Sequence, residues 1–246
     1  MGTNTKHSCT SNSPSCFDCP VLGTGAWREL NTDGLAQLNR FKSKRTLKKG
    51  DFLFHQGDPS VGVWCIIGGH ISVQTVDMHG KSILVRIANS GQTVGARSFF
   101  AFEPHSGSAR ALAKTEVCFI HRDLLNDLIS KHPKVALRFL ETVAVNLRVA
   151  HETILRGATM NLHDRLGYLL LQFHEQFGSA SNDDRSTFDL PLTRRDMAQL
   201  LGTCPESLSR AIRKLQESGM VEFMHRSINI ESLTELRTRV DPSFFD

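Results

Sequence analysis

The sequence predicts an α+β fold in consecutive parts: an antiparallel β-barrel or sandwich, a long helix, and a helix-turn-helix followed by a β-hairpin. Three observations carry this expectation. Between about Thr46 and Ile120, short apolar runs alternate with turn residues and recurring glycines. From Pro133 to Gly157, apolar residues recur mostly three or four positions apart. The segment LTRRDMAQLLGTCPESLSRAIRKLQESGMV (192–221) then sets two short amphipathic helices around Gly202. The expected divisions are a Cys-containing arm over 1–25, a β domain over 26–130, a helix over 131–158 and a helical reading domain over 159–246.

Composition supports a folded chain of one or two domains: 246 residues, 40% hydrophobic and 22% charged. No apolar run approaches the roughly 20 residues that a spanning helix needs, so no membrane partner is expected. The opening MGTNTKHSCT lacks an apolar signal core, and together these features point to the cytoplasm. Net charge is +4, from 29 basic and 25 acidic side chains. The excess lies upstream, because residues 159–246 hold 10 Lys/Arg against 13 Asp/Glu. If that segment binds nucleic acid, a few placed cations must do it. Six cysteines in so long a chain do not make a disulfide scaffold; thiols or metal ligands are expected instead.

The arm over 1–25 is rich in Ser, Thr, Asn, Gly and Cys, with no apolar period. Alone it reads as a loop or disordered segment that something such as a metal must fix. The runs 51–58, 61–69, 70–76, 78–88 and 115–121 read as strands. In the long helix, Leu140, Val143, Leu147, Ala150 and Ile154 form one apolar stripe without an acidic residue. A helix of this length favours a seam with a second helix over a simple core helix of the β domain. That seam predicts a homodimer that persists without any cofactor. A second helix (162–177), the polar loop 178–186 and TFDLPL lead into the helix-turn-helix.

Thr193 with Asp196 three residues on is a capping-box variant. Met197, Leu200 and Leu201 face one side of the first helix, and Gly202 supplies the turn. Leu208, Ala211, Ile212 and Leu215 give the second helix its buried face, leaving Glu206, Ser207, Ser209, Arg210, Arg213 and Lys214 exposed. Arg pairs bidentately with guanine, Glu accepts from cytosine N4, and Ser serves either base or phosphate. Arg194, Arg195, Arg213 and Lys214 suit phosphates, which fix register. The alternative is a generic helical hairpin with a solvated face; the segment GMVEFMHRSINI, readable as a wing, favours the DNA-reading motif.

This order of parts resembles the Crp/Fnr superfamily of bacterial transcription regulators over roughly residues 20–235. The most specific match is ESLSR (206–210), similar to the E-x-x-S-R of the fumarate-nitrate branch. The resemblance implies an N-terminal antiparallel β-roll of the cyclic-nucleotide-binding type, a dimerisation helix and a C-terminal winged helix-turn-helix. As partners it implies double-stranded DNA, RNA polymerase and a second copy of the chain. It also implies Glu206 toward cytosine, Ser209 toward thymine and Arg210 toward guanine in a TTGAT–N4–ATCAA palindrome. No cyclic AMP is expected: Ala96 stands where the ribose carboxylate belongs, and Ser106-Gly107 or Gly107-Ser108 replaces the phosphate-binding Arg pair.

SCFDC (15–19) is similar to the C-x-D-C pair of the fumarate-nitrate arm, and Cys118 in EVCFI matches that branch's internal cysteine. The resemblance implies a [4Fe–4S] cluster sensing oxygen, redox state or nitric oxide, which four thiolates can hold. Residues 20–27 lack the branch's next cysteine, so the expected ligands are Cys9, Cys16, Cys19 and Cys118. Ligand type also admits zinc on His7, Cys9, Cys16 and Cys19, or a thiol redox switch. Haem on Cys65 and a histidine, or a small-molecule effector, are further alternatives. Cys65 otherwise reads as a small core residue, Cys204 as packing within the turn, and His70, His79, His105 and His121 as surface. A cupin-like enzyme would need an H-x-H metal set in the barrel, and neither that set nor a nucleophile–base pair is present. The expectation is therefore a regulator, not an enzyme.

Overall fold

The computed structural model describes residues 15–178, 184–225 and 227–240. The chain forms two compact units that divide between Asn146 and Leu147.

In the first unit, three short 3-10 turns (Cys16–Asp18, Leu22–Thr24 and Ala26–Glu29) precede helix α1 (Thr32–Phe41). Asn31 caps α1 by accepting from Gly34 N–H at 2.9 Å. Strands β1 (Ser43–Leu47), β2 (Phe52–Phe54), β3 (Gly62–Gly68), β4 (His70–Val76), β5 (Ser82–Asn89) and β6 (Thr93–Val94) follow. Helix α2 (Ala96–Ala101) leads to β7 (Ser108–Ala111), β8 (Thr115–His121) and α3 (Arg122–Lys131). Two antiparallel four-stranded sheets result, in the orders β1-β8-β3-β6 and β2-β7-β4-β5. Alternation along β3 and β8 sorts their side chains. Ile66 and Val117 enter a core shared with Leu53 and Ile71 of the other sheet. Val63, Cys65, Cys118 and Ile120 face a second core, built with Leu38 of α1 and Leu125 of α3. The first turns of the long helix α4 (Pro133–Thr159) add Val135 and Phe139 to that core.

Two expectations need correction here. The described part of the arm is not a loose loop: Cys16 and Val21 are buried in the second core, as is Trp27 just after the arm, and Asn39 accepts from Cys16 N–H at 2.9 Å. Apolar anchors and α1 hold it against the sheet. His105 is not surface; it is buried and stacked on Phe54, with ring centroids 3.6 Å apart.

The second unit contains α5 (Leu162–Phe177), β9 (Ser186–Asp189), α6 (Arg194–Leu200), α7 (Pro205–Glu217), β10 (Val221–Met224), β11 (Ser227–Ile230) and α8 (Leu233–Arg239). Strands order as β10-β11-β9, so the expected hairpin gains a third strand from TFDLPL. Helix α5 packs on α7, α8 and β9, and Leu166, Leu170, Phe173, Leu208, Leu215 and Leu236 are buried in this unit. Among the described residues, no helix is long and apolar enough to cross a membrane.

Candidate functional site

Local chemistry fixes the angle between α6 and α7. The Thr193 side chain accepts from Asp196 N–H at 3.1 Å and the Asp196 carboxylate accepts from Thr193 N–H at 2.8 Å, closing a full capping box. At the other end, Gly202 adopts φ +60°, which a side chain would strain. Its N–H donates to Gln199 O, and Thr203 N–H donates to Ala198 O at 2.9 Å. This is a Schellman termination. Arg165 of α5 donates to the Leu201 carbonyl at the same corner. Thr193→Ala should lower unfolding free energy by about 1 kcal/mol through loss of the cap. Urea unfolding measures it, and an unchanged midpoint would contradict the assigned cap.

Helix α7 starts with Pro205 at its first position, where no N–H is required. Leu208, Ala211, Ile212 and Leu215 are buried, while Glu206, Ser209, Arg210, Arg213 and Lys214 are exposed and Ser207 is half-buried. Arg194 and Arg195 are exposed at the start of α6. The exposed face is partly ordered by its own contacts. Arg210 donates to Ser207 Oγ at 3.0 Å, and Ser209 Oγ donates to Pro205 O at 2.8 Å. Hydrogen bonding from its own backbone N–H, then from Cys204, holds the Glu206 carboxyl below its usual range; nearby Arg210 adds to this. Glu206 is therefore an acceptor-only carboxylate at neutral pH. Cys204 is exposed, contrary to the packing role expected from sequence, and donates to Ser207 Oγ at 3.2 Å.

On α4, Leu140, Val143, Leu147, Ala150 and Ile154 are all exposed. Leu140 is 64% and Ile154 71% accessible, which is high for aliphatic side chains repeating at a heptad spacing.

The thiols are the other feature. Cys16, Cys19 and Cys118 line one cavity in the first unit, and Cys65 lines it with them. Cys9 lies outside the described residues. Strand register explains the fourth thiol: Cys65 of β3 is the direct cross-strand partner of Cys118 of β8, on the face covered by the arm. Leu38, Ile67 and Ile120 supply apolar wall. Burial pushes the Cys65 thiol up to about 12 and the Cys118 thiol up to about 11. Burial likewise raises Cys16, against the pull of Lys42. Lys42 is itself buried, at 7% exposure, and its Nζ donates to Cys16 Sγ at 3.0 Å and to Asn39 Oδ1 at 2.7 Å. The Trp27 indole N–H approaches Cys65 closely enough to favour its thiolate, yet it is buried without a regular hydrogen-bond partner.

Four thiols in one cavity are a donor set of the kind an iron–sulfur cluster takes, while the zinc donors His7 and Cys9 lie outside the described residues. Among the described residues, no three His, Cys, Asp or Glu side chains gather tightly enough to hold a metal ion. A buried ammonium to offset thiolate charge and an unused indole donor both suit bound anionic sulfur.

A β-roll followed in the chain by a winged helix-turn-helix is the architecture of a transcription regulator. Residues 44–132 match the cyclic nucleotide-binding domain and residues 164–239 the Crp-like helix-turn-helix domain. The chain belongs to the Crp/Fnr superfamily of transcription regulators. It is 28% identical over 222 residues to the anaerobic regulatory protein of Pasteurella multocida, covering 90% of this chain and 81% of that one. It is equally identical to the fumarate and nitrate reduction regulatory protein of Vibrio cholerae, covering 90% and 88%. The solved structure of FixK2 from Bradyrhizobium japonicum shares the fold, with TM-score 0.72 at 22% identity over 80% of this chain and 96% of that one. Both curated relatives are named as regulatory proteins.

Proposed function

We propose that the chain is a homodimeric regulator that binds a TTGAT–N4–ATCAA palindrome and responds to oxygen, redox state or nitric oxide through a [4Fe–4S] cluster. The observation that carries the DNA reading is α7. Its apolar side is sunk into the unit while Glu206, Ser209 and Arg210 face solvent and Ser207 is half-buried beside them. In this reading Glu206 accepts from cytosine N4, Arg210 pairs with guanine, and Ser209 turns from Pro205 O toward thymine. Arg194, Arg195, Arg213 and Lys214 hold phosphates. The protein works in the cytoplasm, with RNA polymerase as its partner at promoters.

Cys16, Cys19 and Cys118 supply three cluster ligands; when bound, the cluster provides the oxygen- and redox-reactive centre. This chain's own part is to exclude water with Leu38, Ile67 and Ile120 and to set Lys42 against the thiolate charge. Cyclic AMP is not the effector in this reading: Ala96 opens α2, Arg97 is paired with Glu103 at 3.2 Å, and Ser108 accepts from Gln56 N–H.

The α4 stripe makes the second copy a constant partner. Metal-free protein should sediment as a dimer at micromolar concentration; a monomer there would remove the seam from the account. The site assignment is tested by anisotropy with anaerobically purified protein. The palindrome should bind at least about tenfold tighter than a duplex with both GA steps inverted, since each wrong base pair costs roughly 1–3 kcal/mol. Equal affinity would contradict it.

A further inference from the structure

Residues 20–27 carry no cysteine after Cys19, and the fold places a thiol in the same cavity from a different direction. We propose that Cys65 is the fourth protein ligand of the iron–sulfur cluster, in place of Cys9. This rests on reading the cavity as a cluster site. Cys65 is paired in register with Cys118 across the antiparallel β3–β8 ladder, so both thiols project from one sheet face toward Cys16 and Cys19. A cubane takes four thiolates. With Cys9 as a ligand, five thiols would serve four positions, and the spare one would lie against the cluster, nearly fully buried at 6% exposure. A small apolar residue would fill that wall without this competition. The Trp27 indole, 4% exposed, brings an otherwise unpartnered N–H to Cys65, where it can donate to a bound thiolate or sulfide. Two ligands thus come from adjacent rigid strands and two from the turn over Cys16–Asp18 and its end, so the cluster would tie arm to sheet.

The test compares full-length wild type, Cys65→Ala, Cys65→Ser and Cys9→Ala after anaerobic reconstitution with ferrous iron and sulfide. Iron and acid-labile sulfide per chain, Mössbauer spectra and the circular dichroism of each metal-free form are read. Wild type and Cys9→Ala should hold about four irons and four sulfides per chain. Cys65→Ala should lose bound iron by about tenfold or more, since even outer-shell partners of a metal are worth that much. Its metal-free spectrum should match wild type. In Cys65→Ser, iron that remains should include one oxygen-ligated subsite distinct from the rest, a signature that a packing role would not produce. Full iron in Cys65→Ala with loss in Cys9→Ala would overturn the assignment and leave the cluster reading standing. A Cys65–Cys118 disulfide in anaerobically prepared wild type would also overturn it. Wild type that assembles neither iron nor sulfide would overturn the cluster reading itself.

Discussion

Cys118→Ala is expected to fold and dimerise yet to assemble no stable cluster, and to bind the palindrome equally with and without air. The reason lies in the sheet. Strand β8 sits between β1 and β3, with Cys118 paired to Lys44 on one side and to Cys65 on the other. Neither neighbour allows the backbone to shift and present another ligand. The side chain removed is small, and the vacated wall is apolar, so the stability cost should stay within about 1–3 kcal/mol. Iron and sulfide analysis, with anisotropy before and after exposure to air, measures the effect. Stoichiometric iron in this variant, or retained air sensitivity, would mean that the pocket is not the sensor.

Arg210→Ala should cost about 1–3 kcal/mol at the guanine, a factor of roughly five to 150, and should flatten discrimination at that base pair alone. Arg210 is exposed on α7 and already oriented by Ser207 at 3.0 Å, so its guanidinium fork is partly preorganised. Arg213→Ala is the informative contrast. As a phosphate contact it should weaken all sequences alike and reduce the salt slope by about one. Titration of the palindrome and of duplexes altered at the guanine separates the two behaviours. Unchanged discrimination in Arg210→Ala would show that α7 docks differently.

Much of the frame was legible because its signals are local. Short apolar runs bounded by turn residues marked the strands near 51–58, 61–69, 70–76, 78–88 and 115–121; a run of apolar residues three and four apart marked α4; capping and Gly202 marked the helix-turn-helix. What escaped depends on distant partners. Strand β7 is SARA, too small in its side chains to show alternation, and it forms by pairing with β2 and β4. Strand β9 exists through pairing with β11, some 40 positions away. The arm read as loose because Val21, and Trp27 just beyond it, are isolated apolar residues whose partners lie in α1, α3 and β3. Cys65 passed as a core residue for the same reason. Period-two alternation shows that it shares a face with Val63, but only the β3–β8 register shows that Cys118 stands opposite. Cys204 misled in the opposite sense: the end of a tight turn can be fully exposed, and there it is.

The central claim is that two copies of α7 read half-sites about one helical turn apart, held by the α4 seam. Anisotropy with the TTGAT–N4–ATCAA duplex, and with the same half-sites separated by about five further base pairs, tests it most directly. Five pairs rotate one half-site by about half of the 10–10.5 pair repeat, so a rigid dimer cannot engage both. Affinity for the lengthened site should fall close to that of a single half-site. Equal affinity for both spacings would contradict it.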